Sequence, residues 1–107
     1  MRRSLLTVFL VLAASVVLAQ STEHVVAQKN KGFSTDSLKV KVGDSVSFRN
    51  DDAFFHNIFS LTDGSNFDLG SFPQGQSRKT TFTKEGRVEV ECAIHPQMKM
   101  VIQVEKK

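Results

Sequence analysis

The chain contains one cysteine, two prolines and neither tryptophan nor tyrosine among its 107 residues. A single thiol cannot close a disulfide within the chain, so a small fold stapled by cystines is excluded. Beyond residue 19 there is no long apolar pattern at helical spacing, which argues against a helical bundle. No basic run or Lys/Arg stripe is present and charges of both signs are interspersed, so nucleic-acid binding is disfavoured. Internal repeats and low-complexity stretches are also missing, and the length allows only one small domain.

The one long apolar run lies at the N-terminus. Arg2 and Arg3 provide a positive start, Leu5 to Leu18 is nearly all apolar, and Val17-Leu18-Ala19 offers small side chains to a peptidase. The run falls short of the roughly 20 residues that span a bilayer, and no basic stop-transfer flank follows it. The expectation is a signal peptide over residues 1–19, cleaved by the general secretion route, and a mature domain over 20–107 in the periplasm with no membrane span. Removing that leader lowers the formal charge from +3 to +1. In an oxidising compartment the lone Cys92 must be buried and inert, bonded to another chain, reactive, or bound to a metal.

The mature part reads as strands. His24 to Ala27 is a short apolar patch suited to a first edge strand. Leu38, Val40 and Val42 alternate with Lys39 and Lys41, Gly43-Asp44 turns the chain, and Val46 and Phe48 alternate with Ser47 and Arg49, which predicts a hairpin with one apolar face. Asn50-Asp51-Asp52 is a turn cluster, followed by a buried strand over Phe54 to Phe59 that contains His56. Residues 62–66 and 70–76 read as loops, and Lys79 to Thr83 as a Thr-rich strand. Val88, Val90 and Cys92 alternate with Arg87, Glu89 and Glu91, which aims the thiol inward at the end of a strand. Met100, Ile102 and Val104 mark a last strand. Turn signals recurring every 8 to 12 residues predict an all-β, antiparallel β-sandwich, with its core built from Leu38, Val40, Val42, Val46, Phe48, Ile58, Phe82, Val88, Val90, Ile102 and Val104.

Cys92-Ala93-Ile94-His95-Pro96-Gln97-Met98 places a thiol, an imidazole and a thioether within seven residues between two strands. Thiolate and thioether are soft donors suited to Cu(I), and imidazole suits both copper valences, so the set tolerates a change between them. Three residues of one loop cannot enclose an ion, and His56 is the obvious second imidazole. Two nitrogens and one sulfur with a long, weak methionine contact is the blue-copper arrangement for electron transfer. Taken singly, each of these residues is more often structural: a core histidine, a core methionine, a buried thiol. Their joint occurrence, in order and on a β-rich chain, reverses that balance. His24 has no partner pattern and reads as a surface residue.

Together with Val42-Gly43-Asp44-x-Val46-x-Phe48-x-Asn50 and His56-Asn57, the run Cys92-x-x-His95-Pro96-x-Met98 resembles the cupredoxins, particularly amicyanin-like and plastocyanin-like proteins. The resemblance covers residues 33 to 104. It implies a Greek-key β-sandwich, one copper ion per chain held by His56, Cys92, His95 and Met98, and the shuttling of electrons between larger redox proteins. Met98 is preferred over Met100 as the axial residue, because Met100 is in phase with Ile102 and Val104 and so belongs to the core. The resemblance also implies that the Asn57 amide braces the ligand loop. The chain departs from the family in having Val90 where an aromatic residue is frequent.

The expected function is therefore that of a one-electron carrier and not an enzyme. Partners would dock transiently near His95 and Pro96, and the chain would be a monomer. A copper chaperone or store of the same compartment is the alternative. A cysteine-nucleophile enzyme would need Cys92 exposed, and a zinc site rarely uses methionine.

Overall fold

A computed structural model describes residues 20–107, together with residues 4, 7 and 8. The expected signal peptide over 1–19 lies, those three residues apart, outside the described residues. Among the described residues nine strands follow one another: β1 (Glu23–Lys29), β2 (Gly32–Phe33), β3 (Ser37–Lys41), β4 (Ser45–Asn50), β5 (His56–Ser60), β6 (Phe67–Phe72), β7 (Ser77–Thr81), β8 (Gly86–Glu91) and β9 (Lys99–Glu105). They form two sheets, in the orders β2-β1-β4-β7 and β3-β9-β8-β5-β6. No helix among the described residues is long and apolar enough to cross a membrane.

The all-β sandwich is present, and both of its sheets are mixed: β1 runs parallel to β4, and β3 parallel to β9. Between these two pairings lies the main departure from the sequence reading. Residues 38 to 48 do not form a hairpin. β3 lies against β9 in one sheet, with Leu38 opposite Ile102. β4 lies between β1 and β7 in the other, with Phe48 opposite Val26 on one side and Arg78 on the other. The turn at Gly43-Asp44 thus carries the chain across the sandwich. Period-two alternation dictates which face of a strand is buried but not which strand lies beside it, so the pattern was compatible with either path. Gly43 takes the left-handed φ of 95° that this crossing requires.

Other differences are local. β1 is an inner strand, flanked by the two-residue β2. Residues 70–76 are expected as loop, but 70–72 belong to β6; Gly70 does adopt a φ of 73° inside the strand. β5 begins at His56, and Phe54 and Phe55 precede it with 38% and 54% of their surface exposed. His24 is not a bare surface residue, since its Nε2 lies 2.9 Å from Asp44 Oδ2.

The core lies between the sheets and includes Val26, Val40, Val46, Phe48, Ile58, Phe72, Phe82, Val88, Val90, Met100, Ile102 and Val104. Leu38 and Val42 pack against it while partly exposed. Burying Phe48 and Phe72 completely is the largest single apolar contribution, on the order of 3 kcal/mol for each ring. Phe72, the last residue of β6, is the cross-strand partner of His56, so its burial anchors the sheet beside the candidate site.

Candidate metal centre

β5 and the loop from β8 to β9 converge at one end of the sandwich. His56 opens β5 and is fully buried; Cys92 follows β8 directly and is 1% exposed; His95 lies half-buried on the loop from β8 to β9. One donor atom from each of these residues lies within 4.8 Å of the other two. Cys92 Sγ is 3.8 Å from His56 Nδ1 and 3.9 Å from His95 Nδ1. An ion bound by a thiolate at about 2.3 Å and an imidazole at about 2.0 Å would, at a trigonal angle, hold those two atoms about 3.7 Å apart. The donor set therefore fits a single metal ion without rearrangement, and its soft sulfur with two imidazoles suits copper.

The loop that carries Cys92 and His95 closes on itself. Met98 N–H donates to His95 O at 2.9 Å and Cys92 N–H to Met98 O at 3.3 Å. This double closure turns Met98 inward, where it is 1% exposed, and leaves Ile94, Pro96 and Gln97 at the surface. Met100 is buried among the core residues of β9, as its phase predicts, whereas Met98 stands outside that core cluster.

The sulfur also faces a main-chain donor. Asn57 N–H points at Cys92 Sγ across 3.4 Å. It is thus the backbone of Asn57 that reaches the ligand loop; its side-chain amide turns away to Asp68 Oδ1, also at 3.4 Å. The expectation of a side-chain brace is corrected on this point.

Residues 50–55, read from sequence as a solvated turn and the start of a strand, turn out to be the scaffold of His56. Asn50 is fully buried, and its side chain accepts from Asp52 N–H at 2.8 Å while donating to Phe54 O and Phe72 O at 2.8 and 3.0 Å. The loop is wrapped around this one amide. Asp52 is 7% exposed and its Oδ2 lies 2.7 Å from His56 Nε2. Burial pushes the Asp52 carboxyl up, but hydrogen bonds from His56, Lys31 N–H and Asn30 N–H outweigh it and hold the group below the usual carboxylate range. The sequence signal for this role was available only as an acidic residue four positions before a histidine, which on a loop carries no periodic meaning.

Phe54 stands with its ring centroid 5.3 Å from His56 and 5.1 Å from His95, and the two imidazoles are 5.0 Å apart. Lys31 Nζ lies 5.8 Å above the same phenyl ring. Burial lowers the His95 pKa, with the charges of His56 and Lys31 acting in the same direction. The neutral imidazole, the form with a free lone pair, is favoured accordingly.

Comparisons with known proteins agree with this geometry. The profile of the copper-binding protein family described as plastocyanin/azurin matches residues 20–106. The chain is 37% identical over 71 residues to the methylamine utilization protein MauL of Methylorubrum extorquens, an alignment that takes in 65% of this chain and 62% of that protein. Among solved structures, a mutant of amicyanin in its Cu(I) form superposes with a TM-score of 0.72 at 28% identity, over 78% of this chain and 82% of amicyanin. The copper-containing nitrite reductase of Thermus scotoductus SA-01 superposes with a TM-score of 0.74 at 27% identity, over 79% of this chain but only 23% of the reductase. The chain thus spans about three fifths of the curated relative and under a quarter of the enzyme.

Proposed function

The chain belongs to the copper-binding plastocyanin/azurin family, and from that premise we propose that it is a periplasmic one-electron carrier with a mononuclear type 1 copper site held by His56, Cys92, His95 and Met98. The observation that carries this reading is the convergence of two imidazole Nδ1 atoms and one thiol sulfur, delivered by β5 and by the loop from β8 to β9, with His56 and Cys92 buried and His95 half-buried. Copper bound there supplies a reversible one-electron change.

The protein's part is to bind, orient and exclude water. His56 and Cys92 are sealed from solvent, so the donors are positioned by the sandwich and cannot swing outward. His95 is the donor nearest the surface, set among exposed Phe54, Ile94 and Pro96. That apolar rim is where a larger redox protein would dock, in a small transient interface of under about 1,200 Å². The chain acts as a monomer in this reading. A cysteine-nucleophile enzyme is disfavoured, because the Cys92 thiol is shielded from any substrate arriving from solution.

The alternative of a copper chaperone would call for an open site with donors free to hand the metal on. Burial of Cys92, His56 and Met98 favours the carrier, and Met100, the one other thioether among the described residues, is committed to the core. Adding Cu(II) to the purified protein decides between them. An intense thiolate-to-copper absorption, lost in Cys92→Ser, is the expected outcome; a colourless copper complex, or colour that survives the substitution, overturns the proposal.

A further inference from the structure

The turn between β1 and β2 has only two residues, Asn30 and Lys31, since Lys29 pairs directly with Gly32. Both are left-handed, with φ of 54° and 56°, and neither is glycine. Holding a non-glycine residue there costs about 1 kcal/mol or more. That conformation points two successive N–H groups the same way, and both meet one carboxylate: Asn30 N–H donates to Asp52 Oδ1 at 2.7 Å and Lys31 N–H to Asp52 Oδ2 at 3.1 Å. Adjacent amides in this arrangement form an anion-binding concavity. Asp52 is also anchored through its own N–H by Asn50. With both oxygens and its backbone engaged, this carboxylate can neither rotate nor withdraw.

Its remaining contact is His56 Nε2, at 2.7 Å. A carboxylate only accepts, so the proton between them sits on Nε2. The lone pair of the neutral ring is then on Nδ1, the atom 3.8 Å from Cys92 Sγ. We propose that Asp52 is a positioning residue whose carboxylate fixes His56 as the Nε2–H tautomer, aims Nδ1 at the metal position, and by its negative charge favours the oxidised ion over the reduced one. A carboxylate behind a ligating histidine makes the ring a stronger donor, and loss of such a partner commonly weakens metal binding 10- to 100-fold. The left-handed turn is the element that secures this carboxylate. The redox half of the inference rests on the copper-carrier reading; the tautomer half does not.

The test compares Asp52→Ala and Asp52→Asn with Asp51→Asn. Asp51 is one residue away and carries the same charge, but it pairs with Arg49 at 2.9 and 3.0 Å and does not touch His56. In the copper-free protein, long-range ¹⁵N–¹H spectra of the imidazoles should show His56 as the Nε2–H tautomer in the parent and in Asp51→Asn. In Asp52→Ala the ring should become a mixture of tautomers. With copper, Asp52→Ala should lose Cu(II) affinity 10- to 100-fold and Cu(I) affinity less. Each tenfold selective loss raises the reduction potential by about 59 mV. Asp52→Asn, which keeps an acceptor but no charge, should raise the potential while retaining the tautomer.

An unchanged tautomer in Asp52→Ala overturns the positioning role. Equal potential shifts in Asp52→Asn and Asp51→Asn overturn the specific electrostatic role. Failure of both Asp52 variants to fold would mark the residue as structural and overturn the proposal as well. A parent protein that forms no coloured copper complex counts against the carrier reading, while the copper-free spectra still decide the tautomer.

Discussion

His24 on β1 and Asp44 at the turn from β3 to β4 are joined by a 2.9 Å side-chain hydrogen bond that ties the first strand to the point where the chain changes sheets. Asp44 also accepts from the backbone N–H of Lys41 and Thr22, both at 2.9 Å. The His24 hydrogen bond, followed by those two, holds the Asp44 carboxyl far below the usual carboxylate range. A depressed folded-state pKa contributes stability that is complete above the unfolded value, about 3.9, and is lost as pH falls below it. In the copper-free protein, the stability gap between parent and Asp44→Asn should therefore be widest above pH 5 and should shrink steadily toward pH 2. Urea midpoints measured across that range check this, and a gap that does not vary with pH would refute it.

The left-handed turn at Asn30-Lys31 leads to a second expectation. Lys31 has a φ of 56° in a two-residue hairpin turn, where Asn-Gly is the best-suited pair. Lys31→Gly should stabilise the protein by about 1 kcal/mol, because the relieved left-handed strain exceeds the added chain entropy. Its backbone N–H to Asp52 is retained, so the copper spectrum should not change. Chemical denaturation of the two proteins measures the difference; a loss of stability would contradict it.

Met98 and Met100 are both buried, and they separate by readout. Met98→Leu conserves volume, should cost under about 1.5 kcal/mol, and should alter the visible spectrum and the potential of the copper protein. Met100→Ala removes a side chain from the β9 core and should cost about 2–5 kcal/mol while leaving the spectrum in place. The reverse pattern would assign the axial position to Met100.

Phe48 tests the core itself. Its ring is fully buried on β4 and makes an edge contact with Phe33 at 6.3 Å between centroids. Phe48→Ala should lower stability by about 3–5 kcal/mol. Leu61, 78% exposed, is the control, and Leu61→Ala should fall within about 0.5 kcal/mol of the parent. Thermal unfolding of both variants makes the comparison.

Much of the site was legible because its chemistry is concentrated. Cys92, His95 and Met98 fall within seven residues, and His56 lies in an aromatic strand-like run; the structure brings His56, Cys92 and His95 together. Alternation also identified the inward faces of β3, β4, β8 and β9. Pairing was less legible, since Val40 and Phe48 would read the same in a hairpin or on opposite sheets. Asp52 was hidden for a different reason. Asp and Asn in a cluster ordinarily mean a solvated turn, and only the backbone geometry of Asn30 and Lys31, some 20 residues away, turns that cluster into a support. The end of β6 was missed because Gly70 reads as the start of a loop.

His56 and Asn57 are consecutive on β5, yet both address one sulfur, the first through a ring nitrogen and the second through its peptide N–H. The strand bulges immediately afterwards, where pairing with β6 shifts between Asn57 and Phe59. A strand places neighbours on opposite faces, so a side chain and a main-chain group are the only pair of adjacent residues' features able to reach the same atom. Engineers wishing to retune this centre thus inherit a mechanical coupling: sliding β5 to soften one contact drags the other with it, and independent adjustment must come from the β8–β9 side.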